Sequence, residues 1–227
     1  LVMRRLSPFF APVALGVIAF CLVIGPRVID PTNIAWLSGG GDTTQHYLGW
    51  AFFRHGPWTL PLGLNPQFGL EISSSIVFSD SIPLMAFLFK PFSAWLPEPF
   101  QYLGIWMLIC FVLQAYFAWL LVGLLSSEVL IKILGTALLV FAPPMLFRLV
   151  VHIPLASHFI VLAALYLSLR NTERYRMIWW MLLLCASVLI NFYLLAMALC
   201  IWLSNIVDQL FIAKKMRLKA AALEVSM

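Results

Sequence analysis

The sequence predicts an all-α protein, a polytopic membrane helix bundle of about 7–8 membrane segments with a long external first loop containing an interfacial helix. Three observations point there. Of 227 residues, 63% are hydrophobic and 10% charged, with a mean hydropathy of +0.99, more apolar surface than a soluble core of this size absorbs. Apolar runs recur at Pro8–Gly25, Ile82–Leu96, Gln101–Leu125, Val129–Phe147, Ile153–Leu169 and Met177–Ile212, most of them near the ~20 residues that span a hydrocarbon core. Short alternating segments are lacking, and because lipid leaves backbone amides no water to pair with, this pattern selects helices over a barrel.

The first run follows Arg4 and Arg5 and ends in Ile24-Gly25-Pro26-Arg27 without a small-residue cleavage pattern, so it reads as a retained anchor. Residues 26–79 form the external loop. Within it, Thr43–Arg54 suits a helix lying on the membrane: Tyr47, Leu48, Ala51 and Phe52 share one face, with Gln45, His46 and Gly49 elsewhere. The rest of the loop, with Pro57, Pro61, Gly63, Asn65-Pro66 and Gly69, holds too many breakers for regular structure. Between Asp80 and Leu125, Pro83, Lys90-Pro91 and Pro97-Glu98-Pro99 interrupt the apolar pattern and predict a re-entrant hairpin or two short spans. The run Met177–Ile212 overshoots one crossing and is read as two helices turning near Asn191-Phe192-Tyr193, before a basic tail at 214–227.

Net charge is +5 and the pI is near 9.2, yet the basic residues sit in short clusters beside helix ends, which is a signature of orientation and not of nucleic-acid binding. Arg4 and Arg5, then Arg170, Arg174 and Arg176, then Lys214, Lys215, Arg217 and Lys219 are expected on the cytoplasmic side. That arrangement requires one extra reversal, placed in Asp80–Leu125. The external face then gathers the 26–79 loop, Asp80, the Phe147–His158 turn and the Asn191–Tyr193 turn. The nine tryptophans are expected mostly at interface belts or facing lipid. The four cysteines all lie in apolar runs as small hydrophobes.

Two carboxylates lead the functional candidates. Asp42 follows Gly39-Gly40-Gly41 at the start of the interfacial helix and reads either as its N-cap or as a general base tuned by desolvation. Asp80 offers the same choice at the mouth of the next apolar run. Should they converge, they can bind a divalent cation such as Mg or Mn through hard oxygens, or divide base and positioning roles. Arg148 suits phosphate or snorkels at a helix end, and Arg54 poses the same alternative. Lys90, inside an apolar run, either snorkels or faces a polar cavity. His152 and His158 are spaced poorly for one helical face, so a metal pair there is a weak signal beside hydrogen bonding. Gln45 and His46 stand next to Asp42 and join these histidines as candidate substrate contacts.

The arrangement resembles the GT-C superfamily of multi-spanning glycosyltransferases that use lipid-phosphate-linked sugars. The likeness rests on Gly41-Asp42 opening the external loop, a helix with His46 and Tyr47, the proline-marked Ser81-Ile82-Pro83-Leu84, Ala142-Pro143-Pro144 at the end of a later span, and the Asn191-Phe192-Tyr193 turn. It extends over nearly the whole chain. The resemblance implies an enzyme of the bacterial inner membrane that moves a sugar from a polyprenyl phosphate to the hydroxyl of an acceptor glycan or lipid at the external face. In that reading Asp42 is the catalytic carboxylate and Asp80 assists or helps hold a metal. Arg148, with Arg54 or Lys90, steadies the departing phosphate. The chain, residues 1–227, is expected to be one transmembrane domain, a fragment or a core without the soluble C-terminal domain such enzymes often carry. The glycine triplet lacks the lysine and strand–helix context of a nucleotide-phosphate loop. The alternatives are a transporter or flippase of a lipid-linked saccharide, or a non-catalytic membrane subunit.

Overall fold

A computed structural model describes residues 7–69, 73–170 and 176–212. Arg4, Arg5, Arg174 and the basic tail fall outside the described residues. The helices are α1 (Ser7–Val23), α2 (Gly41–His55), α3 (Pro83–Phe89), α4 (Leu103–Leu125), α5 (Val129–Val140), α6 (Pro143–Val151), α7 (Phe159–Leu169), α8 (Arg176–Ile190) and α9 (Phe192–Val207). A two-residue antiparallel ribbon, β1 (Leu64–Asn65) and β2 (Ser74–Ser75), closes the loop after α2, with Leu64 opposite Ser75 and Asn65 opposite Ser74.

Among the described residues three helices are long and apolar enough to cross a membrane: Leu103–Leu125, Val129–Val151, in which α5 continues into α6, and Phe192–Phe211. The 7–8 membrane segments expected from the apolar runs are therefore not supported, because the other apolar runs form helices shorter than a span. Phe9–Val23, Pro83–Phe92, Ile153–Leu169 and Arg176–Ile190 are apolar but shorter. At about 1.5 Å per residue, the 15 residues of α8 rise only about 22 Å. Proline and polar residues set these limits. Pro83 opens α3, a 3-10 turn at Lys90–Phe92 ends it, and Asn191, in extended conformation, splits the last apolar run into α8 and α9 at the expected turn.

The helix α4 is central and packs against α1, α5 and α7. Close approach is achieved through small residues. A Cβ on Gly16 of α1 would stand 2.7 Å from Val112 Cα, so only glycine lets the two backbones touch there. Side-chain amides tie neighbouring elements together. Gln114 donates to Leu139 O at 3.0 Å and Asn205 to Ser168 O at 3.2 Å, while Gln101 clamps the chain after α1 by donating to Val28 O at 2.8 Å and Asp30 O at 2.9 Å. The tryptophans depart from the expected belt. Trp50, Trp106, Trp119 and Trp180 are buried in the core, whereas Trp58, Trp95 and Trp179 are exposed. Large rings supply the volume that fills gaps between short, crossing helices.

The helix α2 begins slightly earlier and ends slightly later than the expected 43–54 helix. Its buried side carries His46, Gly49, Trp50, Phe53 and Arg54, so the predicted apolar face is divided: Leu48 and Phe52 are exposed, Tyr47 and Ala51 half-buried. A residue counted as polar, His46, faces inward because it has a partner there.

At the start of α4 a Cβ on Gly104 would lie 1.7 Å from Val28 O, a backbone atom that cannot rotate aside. Gly104→Ala is expected to destabilise the fold by at least the about 1–3 kcal/mol of ordinary overpacking, read as a lower thermal unfolding midpoint of the purified protein in detergent.

Candidate active site

The site is built on a seam between α2 and the segment Ser79-Asp80-Ser81. Gly49 makes the seam possible: a Cβ there would meet Ser79 Oγ at 2.1 Å and Ser81 Oγ at 2.4 Å. The two serine hydroxyls are hydrogen-bonded to each other at 2.8 Å, Ser81 Oγ donates to His46 O at 2.7 Å, and Tyr102 donates its hydroxyl to Ser81 O. His46 lies 3.0 Å through Nδ1 from Ser79 O. A carbonyl only accepts, so Nδ1 carries the proton and Nε2, buried without a partner, is the lone-pair nitrogen. The backbone of Asp80 is left-handed at φ 51°, as is Ile82 at 52°, a conformation uncommon outside glycine that turns the Asp80 carboxylate away from the seam.

Neither aspartate caps a helix. The N-cap of α2 is Gly40 and that of α3 is Ile82, and neither start has a side-chain cap. Instead the two carboxylates meet one imidazole. His152, at the end of α6, places Nε2 3.2 Å from Asp42 Oδ2 and Nδ1 4.0 Å from Asp80 Oδ2. Its ring lies 5.7 Å from that of His46, tilted by 36°. Asn191 holds the other side of Asp80, donating from Nδ2 to Oδ1 at 3.1 Å while its own Oδ1 accepts from Tyr193 N at 2.9 Å. Four distant stretches thus converge: the first turn of α2, the loop before α3, the end of α6 and the α8–α9 turn.

Burial is the main influence on two of these groups. It raises the Asp80 carboxyl above its usual 3.8, against the pull of His46, His152 and the Asn191 hydrogen bond. It lowers the His46 imidazole below 6.5, opposed by Ser79 O and Asp80. The result is a carboxylate pair with unlike surroundings, since Asp42 is the more exposed of the two.

Two cavities flank the cluster. The larger, 460 Å³, is lined by Arg148, His152 and His158 together with Tyr193 and apolar residues of α6 and α9. The smaller, 180 Å³, is lined by Asp80, Asn191 and Tyr193 with apolar residues of the Asp80 loop, α8 and α9. Tyr193 borders both.

Of the candidates named from sequence, Asp42, Asp80, His46 and His152 are brought together, and Arg148 and His158 share the larger cavity with His152. Gln45 is exposed and ties α2 to the loop through Phe78 O at 3.4 Å. Arg54 and Lys90 do not join the site, which corrects their expected part in phosphate binding. Arg54 lies twelve residues beyond Asp42, about 18 Å of helix rise. Its guanidinium donates to Pro97 O at 2.9 Å, Ser93 O at 3.0 Å and Leu96 O at 2.8 Å and pairs with Glu98 at 3.1 Å. Lys90 neither snorkels nor faces a cavity. Its ammonium donates to Phe53 O at 2.6 Å and Pro57 O at 3.3 Å, under the rings of Phe53 and Trp58. Both cations serve to anchor α2 to the α3 region.

The cation site expected from Asp42 and Asp80 is not supported either. Among the described residues no group of three or more His, Cys, Asp or Glu is arranged to hold a metal ion, and an imidazole stands between the two carboxylates. Three contributors escaped notice as site builders. Gly49 has a local signal, because glycine inside a helix costs about 1 kcal/mol relative to alanine and so marks a close approach. Asn191 read only as a turn, and Tyr102 carried no signal at all.

Fold and site together define a helical protein that has, among the described residues, three helices long and apolar enough to span a membrane and an acid–imidazole–acid cluster between its loops. Residues 13–227 match the family described as Domain of unknown function (DUF6311), and the chain belongs to that family. No curated protein and no solved structure matches it.

Two consequences can be measured. Gly49→Ala is expected to cost about 1–3 kcal/mol and to push the serine segment, and with it Asp80, away from His152, read as a lowered thermal midpoint. The second concerns pH. In the unfolded chain His46 takes up a proton near 6.5, whereas the folded protein resists it, so stability falls as pH drops through 6.5 toward the lower folded value. Asp80 acts in the opposite sense: its protonated form favours the fold below 3.8, and that contribution is lost as pH rises through its raised folded value. Thermal midpoints on either side of 6.5 are expected to fall less on acidification for His46→Gln than for the parent protein.

Proposed function

We propose that this protein is a multi-pass glycosyltransferase of the bacterial inner membrane, with the short apolar helices completing the membrane-embedded body and the acid–imidazole–acid cluster at its external face. It moves a sugar from a polyprenyl-phosphate donor to an acceptor hydroxyl. The observation that carries this reading is His152, held between Asp42 and Asp80 and lining a cavity that also holds Arg148 and His158. A general base and a cationic pocket are the two parts that glycosyl transfer from a phosphate needs side by side.

In this mechanism the acceptor hydroxyl attacks the anomeric carbon of the donor sugar. The new carbon–oxygen bond forms as the bond to the phosphate oxygen breaks, and the electron pair leaves with the lipid phosphate. Asp42, the more exposed carboxylate, takes the hydroxyl proton, and His152 fixes its orientation from Nε2. Arg148 and His158 meet the charge that grows on the departing phosphate, an interaction that strengthens in a water-poor cavity. Asp80 is restrained by Asn191, and its carboxylate lies 4.0 Å from the imidazole on the other side. The bilayer delivers the donor laterally, so no nucleotide site is required.

The test is Asp42→Asn in reconstituted vesicles carrying a labelled polyprenyl-phosphate hexose and a membrane lipid extract as acceptor. Release of lipid phosphate is expected to fall by about 10²–10⁴-fold, the usual contribution of a general base, with an unchanged thermal midpoint. Undiminished release by the variant would overturn the assignment, and substrate counterflow across sealed vesicles without any release would identify a transporter instead.

A further inference from the structure

The smaller cavity has a chemistry of its own. Its 180 Å³ equals about six water volumes at ~30 Å³ each, enough for one compact head group. Among the described residues that line it there is no Lys or Arg, and its one charged group is the Asp80 carboxylate. An anionic head is therefore repelled there. Asp80 Oδ1 is already engaged by Asn191, but Oδ2 lies 4.0 Å from His152 Nδ1, beyond hydrogen-bond reach, and keeps its capacity to accept. The left-handed backbone at Asp80 and Ile82 is strain of the kind stored where a side chain must be aimed. The remaining wall is apolar and aromatic, with Phe78 and Phe192 both exposed at the rim.

The cavity is also joined to an exposed apolar surface. Val188 lines it and is 39% exposed, and Ile178, Leu182, Cys185 and Val188 follow one another at three- and four-residue spacing along α8, all exposed. Residues so spaced share a face, so an unbroken apolar stripe runs from the body of α8 to the cavity. A ligand that fits both features has a polar, uncharged head and a hydrocarbon tail.

We infer that this cavity binds the acceptor, as a neutral polyhydroxylated head group carried on a lipid tail that lies along the exposed stripe of α8. The inference rests on the transferase reading for the word acceptor, though not for the binding itself. One acceptor hydroxyl donates to Asp80 Oδ2, the apolar face of the head lies against the aromatic rim, and Tyr193, bordering both cavities, stands between acceptor and donor.

The experiment uses the full chain in nanodiscs and a decyl glucoside with a photoreactive diazirine on its tail. Illumination is expected to place adducts on the α8 stripe between Ile178 and Val188, and Val188→Trp, which fills the cavity, is expected to cut them at least about tenfold, the equivalent of roughly 1.4 kcal/mol. Asp80→Asn, which keeps the volume but removes the anionic acceptor, is expected to weaken labelling as well, so the result does not rest on one variant. Methyl glucoside and an anionic phosphatidylglycerol at the same concentration are expected not to compete. Adducts spread evenly over the exposed helices, or labelling indifferent to both substitutions, would refute the site. Competition by methyl glucoside equal to that of unlabelled decyl glucoside would show a soluble acceptor and refute the lipid-borne one. Because labelling needs no turnover, its failure is separate from that of the transferase assignment, which is decided by the Asp42→Asn release assay alone.

Discussion

The close contact between α2 and the Ser79-Asp80-Ser81 segment is the constraint on which the rest of the site depends. A hydrogen atom in place of a side chain at Gly49 lets two serines sit on the helix, where they bond to each other and to the backbone of His46. Those bonds satisfy polar groups that burial would otherwise penalise, and Tyr102, just before α4, satisfies one more. With the serines fixed, the left-handed residue between them can point only outward, toward the imidazole at the end of α6. A side chain of any size at Gly49 would separate the loop from the helix and dissolve the arrangement.

The electrostatics follow from that packing. Two carboxylates near one another repel, and each would be costly half-buried without a partner. His152 Nε2 partners Asp42 at 3.2 Å, and Asn191 gives the deeper carboxylate a neutral donor. The unequal exposure of Asp42 and Asp80 then gives them different chemical characters, although local sequence presents them as near equivalents. Elsewhere the cations are handled in another way. Arg54 and Lys90 donate to backbone carbonyls of proline-rich chain, and Arg54 pairs with Glu98 as well. Arg54 and Lys90 thus fasten loops while Asp42 and Asp80 build the cluster, and the two uses are kept about a helix length apart.

Much of the architecture was legible from pattern. Apolar runs gave the helices, Pro83 gave the start of α3, and Asn191 gave the division between α8 and α9, because lipid-facing surface and a missing or diverted amide are local properties. The sequence placed Asp42, Asp80, the Phe147–His158 turn and the Asn191–Tyr193 turn on one expected face but left open whether the two acids meet, because contact between distant segments is not a local property. The number of full-length spans was not legible, since apolar composition does not report where a short helix stops and turns. The tryptophans misled for a related reason: a ring suits lipid, an interface or a core equally well until its neighbours are known.

By itself, then, the sequence determined the helical, membrane-type composition, the breakpoints and the presence of an acid after the glycine triplet. Tertiary structure decided what each polar side chain does. Asp42 and Asp80 have capping positions by local rule, yet both turn to an imidazole more than seventy residues further along the chain. Arg54 and Lys90 look like free cations by local rule, yet both are consumed by carbonyls from other segments. Backbone preference is written over a few neighbouring residues, whereas the partner of a buried charge is set by whichever distant segment packing brings within about 3–4 Å.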